Sequence, residues 1–178
     1  MRLVLIQLFV FFMSAAHAES ACNYLSEDLD KILQTEPQWR ILDIQDLNED
    51  DQQLWRQHHK DQCPGMVAVN LTGNGSIYYA LALIQHEAEN RLNEKLIVAT
   101  THKNKVSKHT LSPSSNIAFT NAASPFVVRK VLPGRFHDLK TDREISIRHE
   151  AIIYEKIEAT ATLFFYKKNR LRSALLFE

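Results

Sequence analysis

The chain has 178 residues, with 21 basic and 21 acidic side chains, two cysteines, four glycines and five prolines. A charge balance this even gives the molecule as a whole no electrostatic reason to seek nucleic acid or anionic lipid. So few glycines and prolines exclude a low-complexity chain, and the length suits one domain.

Residues 1–18 predict a secretory signal peptide. Arg2 is the positive start, Leu3 to Met13 the apolar stretch, and Ala16-His17-Ala18 the small-x-small cleavage site. The apolar run falls short of the roughly 20 residues that a membrane span needs, and no later segment reads as one. No cysteine stands at the cleavage point to carry a lipid. Processing would leave residues 19–178, a single domain of net charge −1 in the periplasm or outside the cell. Cys22 and Cys63 both fall in that part. An even count in an oxidising compartment predicts a disulfide, the alternative being two free thiols. The bond would close a loop of about 40 residues, worth roughly 4 kcal/mol in the chain-entropy account. Neither cysteine has a CxxC partner, which speaks against a redox enzyme.

In chain order, Ser26 caps a first helix that opens with Glu27 and Asp28. Leu25, Leu29, Ile32 and Leu33 share one helical face, and Pro37 ends the element. Trp39 to Leu47 is ambiguous between a strand and an irregular link. Asn48 caps a second helix, with Glu49 to Asp51 in its first turn and Leu54 and Trp55 facing inward. From Cys63-Pro64-Gly65 the pattern turns to strands: Met66 to Asn70, then Ile77 to Ile84, apolar on both faces and so central in its sheet. Gln85 to Lys95 reads as a polar loop. Leu96 to His102 and Val106 to Leu111 form a hairpin about Lys103-Asn104-Lys105. Ser112 to Pro125 reads as an excursion, Phe126 to Leu132 as a strand, and Arg135 to Arg143 as a loop. A strand signal follows from Ile145 to Tyr154. Ala159 to Tyr166 and Arg170 to Phe177 close the chain as a hairpin about Lys167-Lys168-Asn169, with Leu171, Leu175 and Phe177 suited to the core. The expected fold is α+β: two N-terminal helices packed on a mainly antiparallel sheet of about seven or eight strands.

The turn Asn70 to Tyr78 has the spacing of a calcium loop, with Asn70, Thr72, Asn74 and Tyr78 at the ligand positions. Calcium wants carboxylate charge, and none is present. The turn therefore reads as a structural one built on Gly73, Asn74 and Gly75. With Pro64-Gly65 before it and Tyr79-Ala80-Leu81-Ala82-Leu83-Ile84 after it, the segment resembles a group of small exported bacterial proteins. These carry a single hairpin similar to the FG-GAP/VCBS repeat. The resemblance implies export and a β-hairpin scaffold, implies no activity, and without acidic ligands does not carry calcium binding over.

Catalytic patterns fail on spacing. His86-Glu87 and His149-Glu150 each lack the second histidine one helical turn on. His58 and His59 are neighbours, which point apart on a helix. Asp43, Asp46 and Glu49 to Asp51 read as caps and a solvated face. Glu155 and Glu158 suit cross-strand pairing with Lys156 or Arg172. Three candidate binding features remain: the mixed-charge stretch Gln85 to Lys95, Ile117 and Phe119 within the polar excursion, and Arg135-Phe136-His137, residue types favoured at interfaces.

These readings predict an exported, non-catalytic binding protein with no cofactor. Its partner would be another envelope protein, as for an inhibitor or immunity-type protein. The alternatives are a structural envelope module, and an enzyme whose site gathers His86, His102, His109 or His149 with Glu155 or Glu158.

Overall fold

Ala80 to Ile84 are buried without exception, and a strand covered on both faces must lie inside a stack of layers. The computed structural model describes residues 22, 26–60, 62–88, 91–118, 125–159 and 161–176 and builds that stack around them. The signal-peptide stretch 1–18, Leu25, Phe119 and Phe177 lie outside the described residues.

Strand β3 (Tyr78–Ala88) is the axis of a five-stranded antiparallel sheet. Along one edge it pairs with β1 (Arg40–Ile41) and then β2 (Met66–Val69). Along the other it pairs with β4 (Arg91–His102), which pairs in turn with β5 (Lys105–Ala118). A second, four-stranded sheet runs in the order β11 (Arg170–Leu176), β10 (Ala161–Lys167), β9 (Ala151–Glu155) and β6 (Val127–Val131). A two-stranded ribbon joins β7 (Gly134–Asp138) to β8 (Arg143–Ile147).

The sheets meet face to face. Ala80, Ala82, Ile84, Leu92, Leu96 and Val98 from the first pack with Val128, Ile152, Tyr154 and Phe164 from the second. The opposite face of the first sheet, Leu81, Leu83, Ile97 and Ala99, is covered by Leu29 and Ile32 of helix α1 (Glu27–Gln34). Burying each of those two side chains is worth roughly 2 kcal/mol. The opposite face of the second sheet, Ile153, Leu163, Phe165, Ala174 and Leu176, is covered by the ribbon through Phe136, Ile145 and Ile147. Helix, sheet, sheet and ribbon thus form successive layers. Helix α2 (Glu49–His58) closes the inner core with Trp55, 2 % exposed, whose indole N–H donates to the Gln62 carbonyl at 2.9 Å.

The predicted helices and their caps are present: Ser26 Oγ accepts from the Leu29 N–H, and the Asn48 side chain from the Asp51 N–H. The α+β expectation is corrected. Against two helices of 8 and 10 residues stand eleven strands among the described residues, so the fold is mainly β. The surplus strands come from stretches read as loops. Gln85 to Ala88 belong to β3 and Arg91 to Lys95 to β4, and Ser112 to Ala118 lengthens β5. Arg135 to Asp138 and Arg143 form the ribbon. The ribbon is an outer layer and β5 an edge strand, where water leaves polar residues unpenalised and the alternating apolar signal fades. The described residues of Gln85 to Lys95 lie within the ladder, but the stretch offers only Ala88 and Leu92 as apolar residues in its sequence. Residues 145–154 divide into β8 and β9 at Arg148 to Glu150. On β11 the buried side chains are Ala174 and Leu176, while Leu171 faces the inner core and Leu175 is half-buried.

Cys22 and Cys63 form the expected disulfide, with an S–S distance of 2.08 Å and Cα atoms 4.8 Å apart. It ties the chain ahead of α1 to the entry of β2. Beside it Gly65 lies so close to Leu42 that a Cβ would come within 2.3 Å of the Leu42 carbonyl oxygen.

Candidate binding cleft

The glycine turn between β2 and β3 shapes one end of the molecule. Gly73 has φ +73°, and a Cβ there would stand 2.2 Å from His149 Nδ1, so the imidazole rests directly on the bare backbone. The next residue, Glu150, accepts the Asn70 N–H at 2.7 Å and pairs with Lys130 at 3.1 Å. Chiefly the Asn70 hydrogen bond, together with Lys130, holds its carboxyl below the usual range. Inside the turn, Asn70 Oδ1 accepts the Gly73 N–H, and Asn74 Oδ1 accepts both the Ser76 N–H and the Thr72 hydroxyl. Three of the four would-be calcium ligands thus already serve the turn itself. Gly73, Asn74 and Gly75 shape the loop, with positive φ at both glycines.

Arg148 and His149, next to the anchored Glu150, form one wall of an open cleft of about 570 Å³. Glu144 and Ser146 of β8 form another, and Tyr166, Lys167 and Lys168 at the end of the β10–β11 hairpin complete it. Lys168 and Asn169 both take positive φ, the two-residue turn that a tight hairpin requires. Tyr166 stands with its ring 6.4 Å from that of Tyr78. Glu144, the one carboxylate in the lining, is engaged by Arg135 at 3.4 Å. Arg148, Lys167 and Lys168 have no ion-pair partner among the described residues, and neither do Arg170 and Arg172 of the same hairpin. Lys167 and Arg170 are directly opposed in the ladder.

Several charges elsewhere are matched within the fold. Glu36 binds Lys95 and Lys108, Arg40 grips Asp46 with two hydrogen bonds, and Arg129 grips Glu155 in the same way. Burial opposes the ionised Glu36, but hydrogen bonds from Lys108 and Lys95 outweigh it and keep its carboxyl below the usual range. Glu94, 3 % exposed between the sheets, is the exception. Burial pushes its carboxyl up against the Phe126 N–H, the Tyr154 hydroxyl and Lys156. Burial and Glu94 together push the Tyr154 hydroxyl up as well.

The residues singled out in the sequence are spread over several places. Arg135 and His137 are exposed on the outer face of β7, His137 facing Asp142 at 3.0 Å, while Phe136 turns inward beneath the ribbon. Arg135 is opposed by Ser146 in the ribbon and so borders the cleft. The backbone of Ile117 pairs with Leu92 near the end of β5. His86 lies 3.1 Å from Arg40, and His149 lines the cleft. A smaller cavity of about 280 Å³ between α2 and the β9–β10 turn gathers His58, His59, Glu155 and Glu158 with Leu54, Trp55 and Ile157. There Glu155 is held by Arg129 in place of the expected Lys156 or Arg172, because Arg129 on β6 reaches it diagonally on the directly paired strand β9. No cluster of three metal-ligating side chains occurs among the described residues.

Arg148, Ser146, Lys167 and Lys168 were not singled out from the sequence. The available signal was the run Lys167 to Arg172, four basic residues and no acid in an otherwise balanced chain. The fold and site define a layered, mainly antiparallel β domain with a cationic cleft at one end. In comparisons with known proteins, no family model matches the chain, and neither does any curated protein or solved structure.

Proposed function

We propose that the chain is an exported, non-catalytic binding domain that caps another protein of the cell envelope, in the manner of an inhibitor or immunity-type protein. The cleft between β8, the Arg148–Glu150 segment and the β10–β11 hairpin is its contact surface. One observation carries this reading: three cations line a cleft of about 570 Å³ whose one carboxylate is already engaged. A concave site of that size with a few convergent polar groups is where a ligand is expected. The other buried carboxylates are bound up in bonds that hold layers together, which suits a rigid scaffold better than a reaction centre.

Affinity capture from a periplasmic extract tests the proposal. The purified protein should return the same envelope protein reproducibly, and charge reversal at Arg148 and Lys167 should abolish its capture. Repeated recovery of no partner, or capture indifferent to those substitutions, contradicts it.

A further inference from the structure

Resting on that binding reading, we infer that the cleft recognises an acidic peptide segment of the partner, its carboxylates held by Arg148, Lys167 and Lys168. The first ground is where unmatched charge collects. Residues Glu27 to Asp51 hold nine acidic and two basic side chains, whereas Lys167 to Arg172 hold four basic and no acidic ones. Among the described residues, seven cations of the body pair with carboxylates within the fold, whereas neither Arg148 nor any of the four cations of this hairpin does. Like charges gathered without counter-charge repel one another, and an anionic ligand relieves that repulsion.

Shape and composition choose among anions. A cleft of about 570 Å³ accommodates several residues of extended chain and is far larger than a single oxyanion. Its guanidinium suits two-pronged recognition of carboxylate, and its ammonium groups act as point charges. Ser146 adds a hydroxyl and Tyr166 an aromatic ring for the uncharged parts of a peptide. Glu144 in the same wall, paired with Arg135 at 3.4 Å, leaves that side of the cleft without free positive charge, which suits a peptide with separated carboxylates better than a uniformly charged polyanion or a sheet of lipid headgroups. The large exposed apolar residues, Ile77, Leu132 and Leu139, lie outside the lining, so the cleft carries no wedge for insertion into a bilayer.

The test uses the purified protein and a fluorescein-labelled peptide of alternating glutamate and serine, read by anisotropy in low salt. The same peptide with glutamine for glutamate, inorganic phosphate as competitor, and phosphatidylglycerol vesicles are the other arms. The acidic peptide should bind. The glutamine peptide should bind about tenfold more weakly or worse, as expected when several partly exposed ion pairs are lost together. Arg148→Glu, Lys167→Glu and Lys168→Glu should each weaken binding and jointly abolish it, while the melting temperature holds because these side chains are exposed. Weakening by added salt should follow the same order. No binding of the acidic peptide, equal binding of the glutamine peptide, or preference for phosphate or vesicles overturns the inference. If an envelope partner is captured equally well by wild type and triple variant, this inference and the choice of surface fall while capping stands. If the peptide binds and no partner is ever captured, capping falls while acidic-peptide recognition stands.

Discussion

Gly73 shows how one missing side chain connects scaffold and cleft. Its positive φ and the imidazole against it both exclude a Cβ, so Gly73→Ala should cost about 1–2 kcal/mol and displace His149. Urea denaturation would measure the first effect and the His149 NMR resonances the second; an unchanged His149 environment contradicts the account. The two glutamates Glu94 and Glu36 should respond to pH with opposite sign. Glu94 has its carboxyl raised by burial, so its contribution is fully present below the unfolded value and lost as pH rises through the folded one. Glu94→Gln, which keeps an acceptor for the Phe126 N–H, should therefore gain stability relative to wild type between pH 4 and pH 7. Glu36 has its carboxyl lowered, so its contribution is present above the unfolded value and lost as pH falls through the folded one. Glu36→Gln should cost roughly 2 kcal/mol at pH 7, the difference shrinking toward pH 3. Stability differences independent of pH would contradict both assignments.

At the scale of elements, what could be read in advance was whatever has a strong local cause. Ser26 and Asn48 cap their helices because their side chains reach the third N–H onward. Lys103-Asn104 and Lys168-Asn169 mark hairpins because both pairs accept positive φ. Ala80 to Ile84 announced a covered strand through unbroken apolarity. The ribbon and the outer half of β5 could not be read this way. β7 alternates exposed Arg135 and His137 with inward Phe136 over too few residues to stand out, and the Ser112 to Ala118 half of β5, on a sheet edge, carries Pro113 and Asn116, types depleted in strands. The ribbon is held in place by Asp138, which accepts from the Thr141 hydroxyl and from the Leu175 and Lys140 N–H groups, bonds that keep its carboxyl below the usual range. The disulfide closes a separation of 41 residues. Replacing both cysteines by serine should lower unfolding free energy by roughly 4 kcal/mol, readable as a drop in the urea midpoint. A variant as stable as wild type contradicts the role given to that bond.

For the whole molecule, the instructive quantity is where charge lies. The even total charge gave no electrostatic reason to expect a polyanion-seeking protein. It concealed a division between an acidic helical start and a basic closing hairpin. The cleft itself was illegible because its walls come from β8, the Arg148–Glu150 segment and the β10–β11 turn. Only the fold brings these together, and Lys167-Lys168-Asn169 read on its own is merely a turn. The same separation holds for the histidines singled out. His86, His102 and His109 lie on β3, β4 and β5 of the first sheet, His149 lies in the link between β8 and β9, and none of them lines the cavity that holds Glu155 and Glu158.

The most direct test of the binding account is parallel affinity capture from envelope extract with wild type and the Arg148→Glu/Lys167→Glu/Lys168→Glu variant, matched for melting temperature. The account predicts one reproducible partner on the wild type and none on the variant. The same partner on both, in equal amount, would contradict it.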